Sequence, residues 1–323
     1  MNAPDNAIIV AGPTCSGKSA LALHLARQCC GVVINADSMQ VYRELDILTA
    51  RPTEADEAAV PHRLYGVLEA SQPGSVAWWR QQALKIMKEC WAEGRLPILC
   101  GGTGMYLRAL TDGLVEVPDP GDQARHQARA LLADIGPEAL HERLSQMDPE
   151  TASRLKPNDS QRIARAWEVR MGTGRGLAAW QQEPALPAAP CRFVSVRLDP
   201  PRDELRAAIA RRFDAMLEAG ACDEVAALLA QHLPDTVPAM RAHGVPELAR
   251  VLRGESSLEE ARETAVRAIG RYTRRQATWF RHHRLGREGD DMVSFHRMSE
   301  STQLLEREIQ KIENFIQNRI DQS

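Results

Sequence analysis

Apolar residues recur along this chain in two registers. Short continuous runs at Ala7-Ile8-Ile9-Val10-Ala11, Gly31-Val32-Val33-Ile34-Asn35, Leu96-Pro97-Ile98-Leu99-Cys100 and Cys191-Arg192-Phe193-Val194-Ser195-Val196-Arg197-Leu198 have the length and composition of buried strands, and His62 to Leu68 predicts a further one. Between them the period lengthens to that of a helix. Ala20 to Ala26 follows the first run, and Ser75 to Glu93 places Trp78, Leu84, Met87 and Trp91 on an inner face, with Gly94 as its stop. Strands alternating with helices predict an α/β fold with a parallel sheet, whose site lies at the carboxyl ends of the strands.

The pattern changes at Val117-Pro118-Asp119-Pro120-Gly121-Asp122, which is rich in turn formers. From there to about Gln182 every periodic segment is helical, and the Pro/Ala stretch Pro184 to Pro190 closes the block. The division expected is therefore an α/β core in two parts, 1–119 and 191–300, with a helical insertion at 120–190 and a tail at 301–323. After residue 198 only helices are expected: Asp203 to Ala219, Asp223 to His232, Pro246 to Leu252, Ser257 to His283 and a weakly amphipathic terminal one.

The first strand runs into Gly12-Pro13-Thr14-Cys15-Ser16-Gly17-Lys18-Ser19, the G-x-x-x-x-G-K-[ST] spacing of a phosphate-binding P-loop. Gly12 and Gly17 allow backbone N–H groups to turn toward an anion at a helix N-terminus, Lys18 adds a mobile cation, and the Ser19 hydroxyl is a ligand for Mg²⁺. Two other strand ends carry candidate chemistry. Ala36-Asp37-Ser38-Met39-Gln40 brings a carboxylate toward the P-loop, unless Asp37 only caps a short helix over Ser38 to Leu45. Gly101-Gly102-Thr103-Gly104 allows close backbone approach to a ligand and turns the Thr103 hydroxyl into the same cleft.

The chain has 323 residues, 44% apolar and 26% charged, enough for a large core. No apolar run is long enough to span a membrane and Met1 to Asn6 is unlike a signal peptide, so the cytoplasm is the expected location. Seven cysteines without a C-x-x-C pair indicate reduced thiols rather than disulfides or a zinc site. The net charge of −3 argues against a polyanionic partner, but its distribution argues for one. Thr264 to Arg287 contains seven arginines and no acid, and Arg267, Arg271, Arg274, Arg275 and Arg281 fall on one side of a helix. Ion pairing to acidic neighbours is the alternative use of that face. A weaker cluster, Arg154, Lys156, Arg162 and Arg165, lies in the insertion.

GPTCSGKS at 12–19, NADSMQVYRELDILTARP at 35–52, HRL at 62–64, CGGTGMYLRAL at 100–110, KPNDSQRIARAWEV at 156–169 and RYTRRQATWFR at 271–281 together resemble the bacterial tRNA dimethylallyltransferases, in order and over nearly the whole chain. These enzymes attach a dimethylallyl group to the exocyclic amine of the adenosine next to the anticodon. The resemblance implies that residues 12–19, with Arg212, bind the diphosphate of dimethylallyl diphosphate rather than ATP, with Mg²⁺ on Ser19. It implies that Asp37 is the general base and that Thr103 contacts the flipped adenosine. It also implies that Ser38, Met39, Gln40, Arg125, Gln161, Arg162, Ile163, Ala164 and Arg165 touch the anticodon stem-loop, to which the arginine face adds Arg271, Arg274 and Arg275. A monomer is expected. Two motifs depart from the family: DILTARP has Leu48 where relatives have glycine, and His243-Gly244-Val245-Pro246-Glu247 replaces a V-G-Y pattern.

The chemistry is consistent with this. The adenine amine is a weak nucleophile that becomes acidic as it attacks, so an ionised carboxylate is a suitable base, and a stacked base must be flipped out to meet it. A P-loop small-molecule or nucleoside kinase explains the first 115 or so residues equally well but leaves the arginine face without a role. A nucleotide-switched RNA-binding module would need neither Asp37 nor Thr103.

Overall fold

The apolar runs become a six-stranded parallel sheet in the computed structural model, which describes residues 5–298 and 303–321. The chain divides into two compact units, Met1–Asp112 with Ala189–Ser323, and Gly113–Ala188. The expected boundary at 300 and 301 lies outside the described residues.

In the first unit the elements run β1 (Asn6–Ala11), α1 (Lys18–Gln28), β2 (Val32–Asn35), α2 (Glu54–Ala59), β3 (His62–Arg63), α3 (Val76–Ala92), β4 (Pro97–Gly101) and α4 (Gly104–Thr111). The second unit supplies α5 (Asp122–Met147), α6 (Pro149–Ser153), α7 (Ser160–Thr173) and α8 (Leu177–Trp180). The first unit resumes with β5 (Arg192–Leu198), α9 (Arg202–Glu218), α10 (Ala221–Leu229), α11 (Val245–Leu252), α12 (Leu258–His282), β6 (Asp291–Ser294) and α13 (Gln303–Ile320).

The strand order is β3-β2-β4-β1-β5-β6. Ala7 to Ala11 are fully buried because both faces of a parallel sheet are covered. One face packs Ile9, Ile34 and Leu99 against Trp79, Tyr106, Phe213 and Phe280, and the other packs Ile8, Val10 and Ile98 against Leu21, Leu25, Ile312 and Ile316. In this order β1 and β2 are not neighbours, since β4 lies between them. Asp37 and the P-loop therefore approach each other across the end of β4.

Three expectations change. The strand predicted over 62–68 is only His62–Arg63, because Leu64 and Gly66 take positive φ of 64° and 58° and turn the chain away. β6 pairs with β5 from Ser195↔Asp291 to Leu198↔Ser294, between the two last helices expected and where no strand was expected; Asp-Met-Val-Ser has too short an apolar run to announce one. In α3 it is Trp79, not Trp78, that is fully buried; its indole N–H donates to the Asn35 carbonyl at 2.7 Å and its ring stacks on Tyr106 at 4.5 Å.

The second unit is helical throughout. Its core joins Leu140 and Leu144 of α5, Ala152, and Ile163 and Ala166 of α7. Gly136, at φ 78°, breaks α5 just before Pro137. An antiparallel bridge between Leu114 and Leu186 closes its base and draws 113–119 into this unit rather than into the core. Among the described residues no helix is long and apolar enough to cross a membrane.

Candidate active site

The phosphate cradle begins where β1 ends. Gly17 is the N-cap of α1 at φ 89°, and Cys15 also takes a positive φ of 66°, so the loop turns its backbone sharply into the first helical turn. Several residues of the motif are engaged within the protein. The Pro13 carbonyl accepts the Ser16 N–H at 3.2 Å and Lys18 Nζ at 3.4 Å, while the Thr14 N–H and hydroxyl both donate to Gln276 Oε1 at 2.9 and 3.3 Å. Gly12 lies under Leu198, whose carbonyl would be 2.8 Å from an added Cβ, and Ser16 is fully buried. Gly12, Pro13, Thr14 and Ser16 thus help to shape the loop.

Cys15, Gly17, Lys18 and Ser19 open into a cleft of about 560 Å³ shared with Arg51, Arg211, Arg212 and Arg297, where Asp56 is the only lining acid among the described residues. The unpaired N–H groups and dipole of the first turn of α1 face the same space. Arg212 of α9 lines the same cleft and points its Nη1 at Cys15 Sγ, 3.8 Å away. Arg211 and Arg297 were not anticipated. A cation beside a P-loop but distant in sequence carries no local motif.

Across the end of β4 stands the carboxylate. The fully buried Asn35 accepts the Asp37 N–H at 2.7 Å and donates to the Asp37 and Leu64 carbonyls, so it fixes the turn that presents Asp37. Asp37 Oδ1 accepts the Met39 N–H at 3.0 Å in an Asx turn, and residues 38–45 form turns rather than the helix Asp37 might have capped. Thr103 joins from the glycine-rich loop: its hydroxyl accepts the Ser38 N–H at 2.9 Å and donates to Ser38 Oγ at 3.3 Å. Cys100 of β4 lies between the two halves, paired in register with Val10 of β1 and with Asn35 of β2. Burial pushes its thiol up to about 11, against the pull of Lys18 and a hydrogen bond with Ser19, while Asp37 pushes it further up. Phosphate cradle and carboxylate therefore flank one point. Met39 packs on the core, and Gln40 Nε2 is committed to the Thr49 and Ala50 carbonyls at 3.0 and 2.9 Å.

The glycines of the 101–104 loop make room for protein rather than ligand. A Cβ on Gly101, Gly102 or Gly104 would meet the Ala36 backbone, Gln276 or Trp279 at 2.1, 2.2 and 2.3 Å. Gln276 is the keystone here, since its Nε2 also donates to the Gly102 carbonyl at 3.0 Å and ties the P-loop to that loop from the basic helix α12. It was legible only as one inward position of an amphipathic helix. Gln276→Leu leaves the Thr14 N–H and Gly102 carbonyl without partners, at about 1–3 kcal/mol each. Denaturant titration is expected to show that loss, and an unchanged midpoint would contradict the bridging role.

On α12, Arg271, Arg274 and Arg275 are exposed, and among the described residues no carboxylate pairs with them. Arg267 pairs with Glu263 and Arg281 with the buried Asp199, so those two leave the anionic-ligand face proposed from sequence. Arg275 lies over Tyr272 at 5.7 Å, and the Tyr272 ring tilts against His243 at 4.9 Å. Burial lowers the pKa of His243, with Arg275 and Arg271 adding to the effect against Glu247 and Asp37. Gly244 N–H donates to Glu247 at 3.1 Å, which starts α11 despite the unusual motif. The Leu48 departure is absorbed too: Leu48 packs beside Gly244, and the N–H groups of Asp46, Ile47 and Leu48 all donate to Glu224 at 2.6, 2.7 and 3.0 Å.

Within the second unit, Gln161 and Arg162 are exposed on α7, Arg162 pairs with Asp159, and Arg165 pairs with Glu168 at 2.6 Å. Ala164 is half-buried, and Arg125 is held by Asp119 and Asp122 at 2.5 and 2.8 Å. Ile163 corrects its assignment as an RNA contact. It is fully buried in the unit's core, where truncation to Ala would cost about 2–5 kcal/mol in folding stability.

The chain matches a family model described as IPP transferase over residues 40–283 and one described as isopentenyl transferase over residues 5–72. It is 70% identical over 326 aligned residues to a tRNA dimethylallyltransferase of Gluconobacter oxydans, covering 99% of this chain and 98% of that protein. It is 62% identical to the protein of the same name from Gluconacetobacter diazotrophicus, covering 97% and 95%. The crystal structure of the full-length tRNA isopentenylpyrophosphate transferase from Bacillus halodurans superimposes with a TM-score of 0.69 at 33% identity, covering 99% and 98% of the two chains. With a P-loop α/β core, a carboxylate across β4 and relatives aligned from end to end, the chain belongs to the IPP transferase family.

Proposed function

We propose that this chain transfers the dimethylallyl group of dimethylallyl diphosphate to the N6 amine of the adenosine 3′ of the tRNA anticodon. N6 bonds to the allylic carbon as the bond from that carbon to diphosphate oxygen breaks; the electron pair leaves on diphosphate, and the N6 proton passes to Asp37. The observation that supports this most directly is the sheet register at Cys100, which stands beside Val10, two residues before the P-loop, on one side and beside Asn35, two residues before Asp37, on the other. That is the separation of roles an alkyl transfer needs, with leaving-group charge met by cations and the amine met by a base.

Lys18, Arg212 and the first-turn N–H groups of α1 bind the diphosphate and take up the charge that develops on it. Mg²⁺ fits this donor set, because the Ser19 hydroxyl lies in the cleft beside the groups that bind diphosphate and would hold the ion there. When bound it supplies further neutralisation of the leaving diphosphate. Thr103 and Ser38 bracket the turn carrying Asp37 and present hydroxyls to the flipped base. One chain supplies every group named, so a monomer is the working unit of this reading, and the cytoplasm, where tRNA is used, is its compartment.

A small-molecule kinase would use the same cradle but gives Arg271, Arg274 and Arg275 no task. An A-form stem is bound chiefly through its phosphates. Replacing these three arginines by Ala is expected to flatten the dependence of log K on log [salt] for tRNA by up to about 3, with dimethylallyl diphosphate affinity unchanged. Equal tRNA affinity at every salt concentration would remove the face from the interface. The function itself is tested by offering the protein ATP or dimethylallyl diphosphate with unmodified tRNA and looking for the prenylated nucleoside by mass spectrometry. Transfer of phosphate from ATP without prenylation would establish the kinase instead.

A further inference from the structure

The P-loop has a second layer that comes from the far end of the sheet. After β6 the chain passes back over the cradle: Arg297 Nε donates to the Cys15 carbonyl at 2.9 Å, and the Met298 N–H donates to the Ser16 carbonyl at 3.0 Å. Met298 is buried, and its carbonyl oxygen would stand 1.8 Å from a Cβ on Gly17. Gly17 is therefore required twice, for its positive φ and for the passage of this strap.

The strap brings a guanidinium to the cleft in a defined pose. Arg297 lines the same space as Lys18 and Arg212, and with Nε committed to Cys15, neither Nη group has an acceptor among the described residues. A guanidinium tethered at Nε presents its remaining N–H groups as a fork, the geometry suited to two phosphate oxygens. The tether also removes much of the freedom an arginine would lose on binding.

We propose that Arg297 is a diphosphate-binding residue, which joins the cradle through the β6 strap and contacts the leaving group directly. The proposal rests on the prenyl-transfer reading for the identity of the leaving group, although the anion site itself does not. The full-length chain is tested as Arg297→Gln, which removes the charge while keeping an N–H donor for Cys15, and as Arg297→Lys, which keeps the charge.

Arg297→Gln is expected to raise the calorimetric Kd for inorganic diphosphate, and the KM for dimethylallyl diphosphate, by about 10- to 100-fold, the scale of a lost charge-assisted contact. Arg297→Lys is expected to recover part of this, and neither variant to change the Kd for tRNA. Wild-type diphosphate affinity in Arg297→Gln would overturn the assignment. So would equal losses in both variants accompanied by a lowered Tm, which would leave Arg297 as a strut for the loop. Failure of the two ideas is separable. A wild-type protein that binds inorganic diphosphate through Arg297 but yields no prenylated nucleoside defeats the prenyl-transfer reading alone, whereas a prenylating protein indifferent to Arg297→Gln defeats this one alone.

Discussion

Lys18→Ala is expected to lower kcat/KM for dimethylallyl diphosphate by about 10² to 10³, the loss that follows removal of one preorganised charge contact to a developing anion. Lys18 is the first residue of α1, half-buried in the cleft, and its ammonium donates to the Pro13 carbonyl at 3.4 Å. It belongs to none of the apolar clusters, so the variant should fold and melt as the wild type does. The effect should fall on kcat as well as on KM, because the charge it meets grows as the allylic carbon–oxygen bond breaks. Steady-state kinetics with tRNA held saturating would measure the split. A Lys18→Ala enzyme with near-wild-type kcat/KM would mean that Arg211, Arg212 and Arg297 neutralise diphosphate by themselves.

How much of this site the sequence disclosed depends on whether each part is local. Gly17, Lys18 and Ser19 are consecutive, and their spacing alone specifies a loop-to-helix turn that points N–H groups at an anion. Asp37 and Thr103 were visible as polar residues at strand ends, where a parallel sheet collects its site. What was not visible is how those ends are held together. Asn35 fixes the Asp37 turn with a fully buried carboxamide, and Gln276 ties Thr14 to Gly102 from 262 and 174 residues further along the chain, yet each occupies one position in an otherwise ordinary strand or helix. The glycines of 101–104 were attributed to ligand approach because spacing cannot distinguish a substrate from a tryptophan ring. The arginine face shows the same limit from the other side. Helical geometry placed five arginines together, but only the fold reveals that Asp199, at the end of β5, neutralises Arg281. Ile163 was drawn into the RNA-contacting set by its place in a motif, while its burial follows from the pattern of α7 against α5.

Asp37→Asn should abolish most turnover while leaving the protein's shape in place. The Asp37 side chain has a structural task, since Oδ1 accepts the Met39 N–H at 3.0 Å, and asparagine keeps an oxygen there. Asn35 grips the backbone of residue 37 rather than its side chain, through the N–H at 2.7 Å and the carbonyl at 3.0 Å, so the turn survives the exchange. What disappears is basicity. Without a proton acceptor at N6 the attacking amine must lose its proton to water, and turnover is expected to fall by roughly 10² to 10⁴. The Kd for inorganic diphosphate should change little, because Asp37 is not among the residues lining the phosphate cleft. An independent readout confirms that the charge has gone and the fold has not. Asp37 helps raise the pKa of His243, against the lowering effect of burial, so in Asp37→Asn the His243 ring should protonate at still lower pH, a shift that NMR titration can follow. Asp37→Ala, which also removes the Met39 acceptor, should lose stability as well as turnover. If Asp37→Asn turned over within a few fold of wild type with its His243 titration shifted as expected, the carboxylate would be a turn-former only and the base would have to be sought among the other groups facing the adenine.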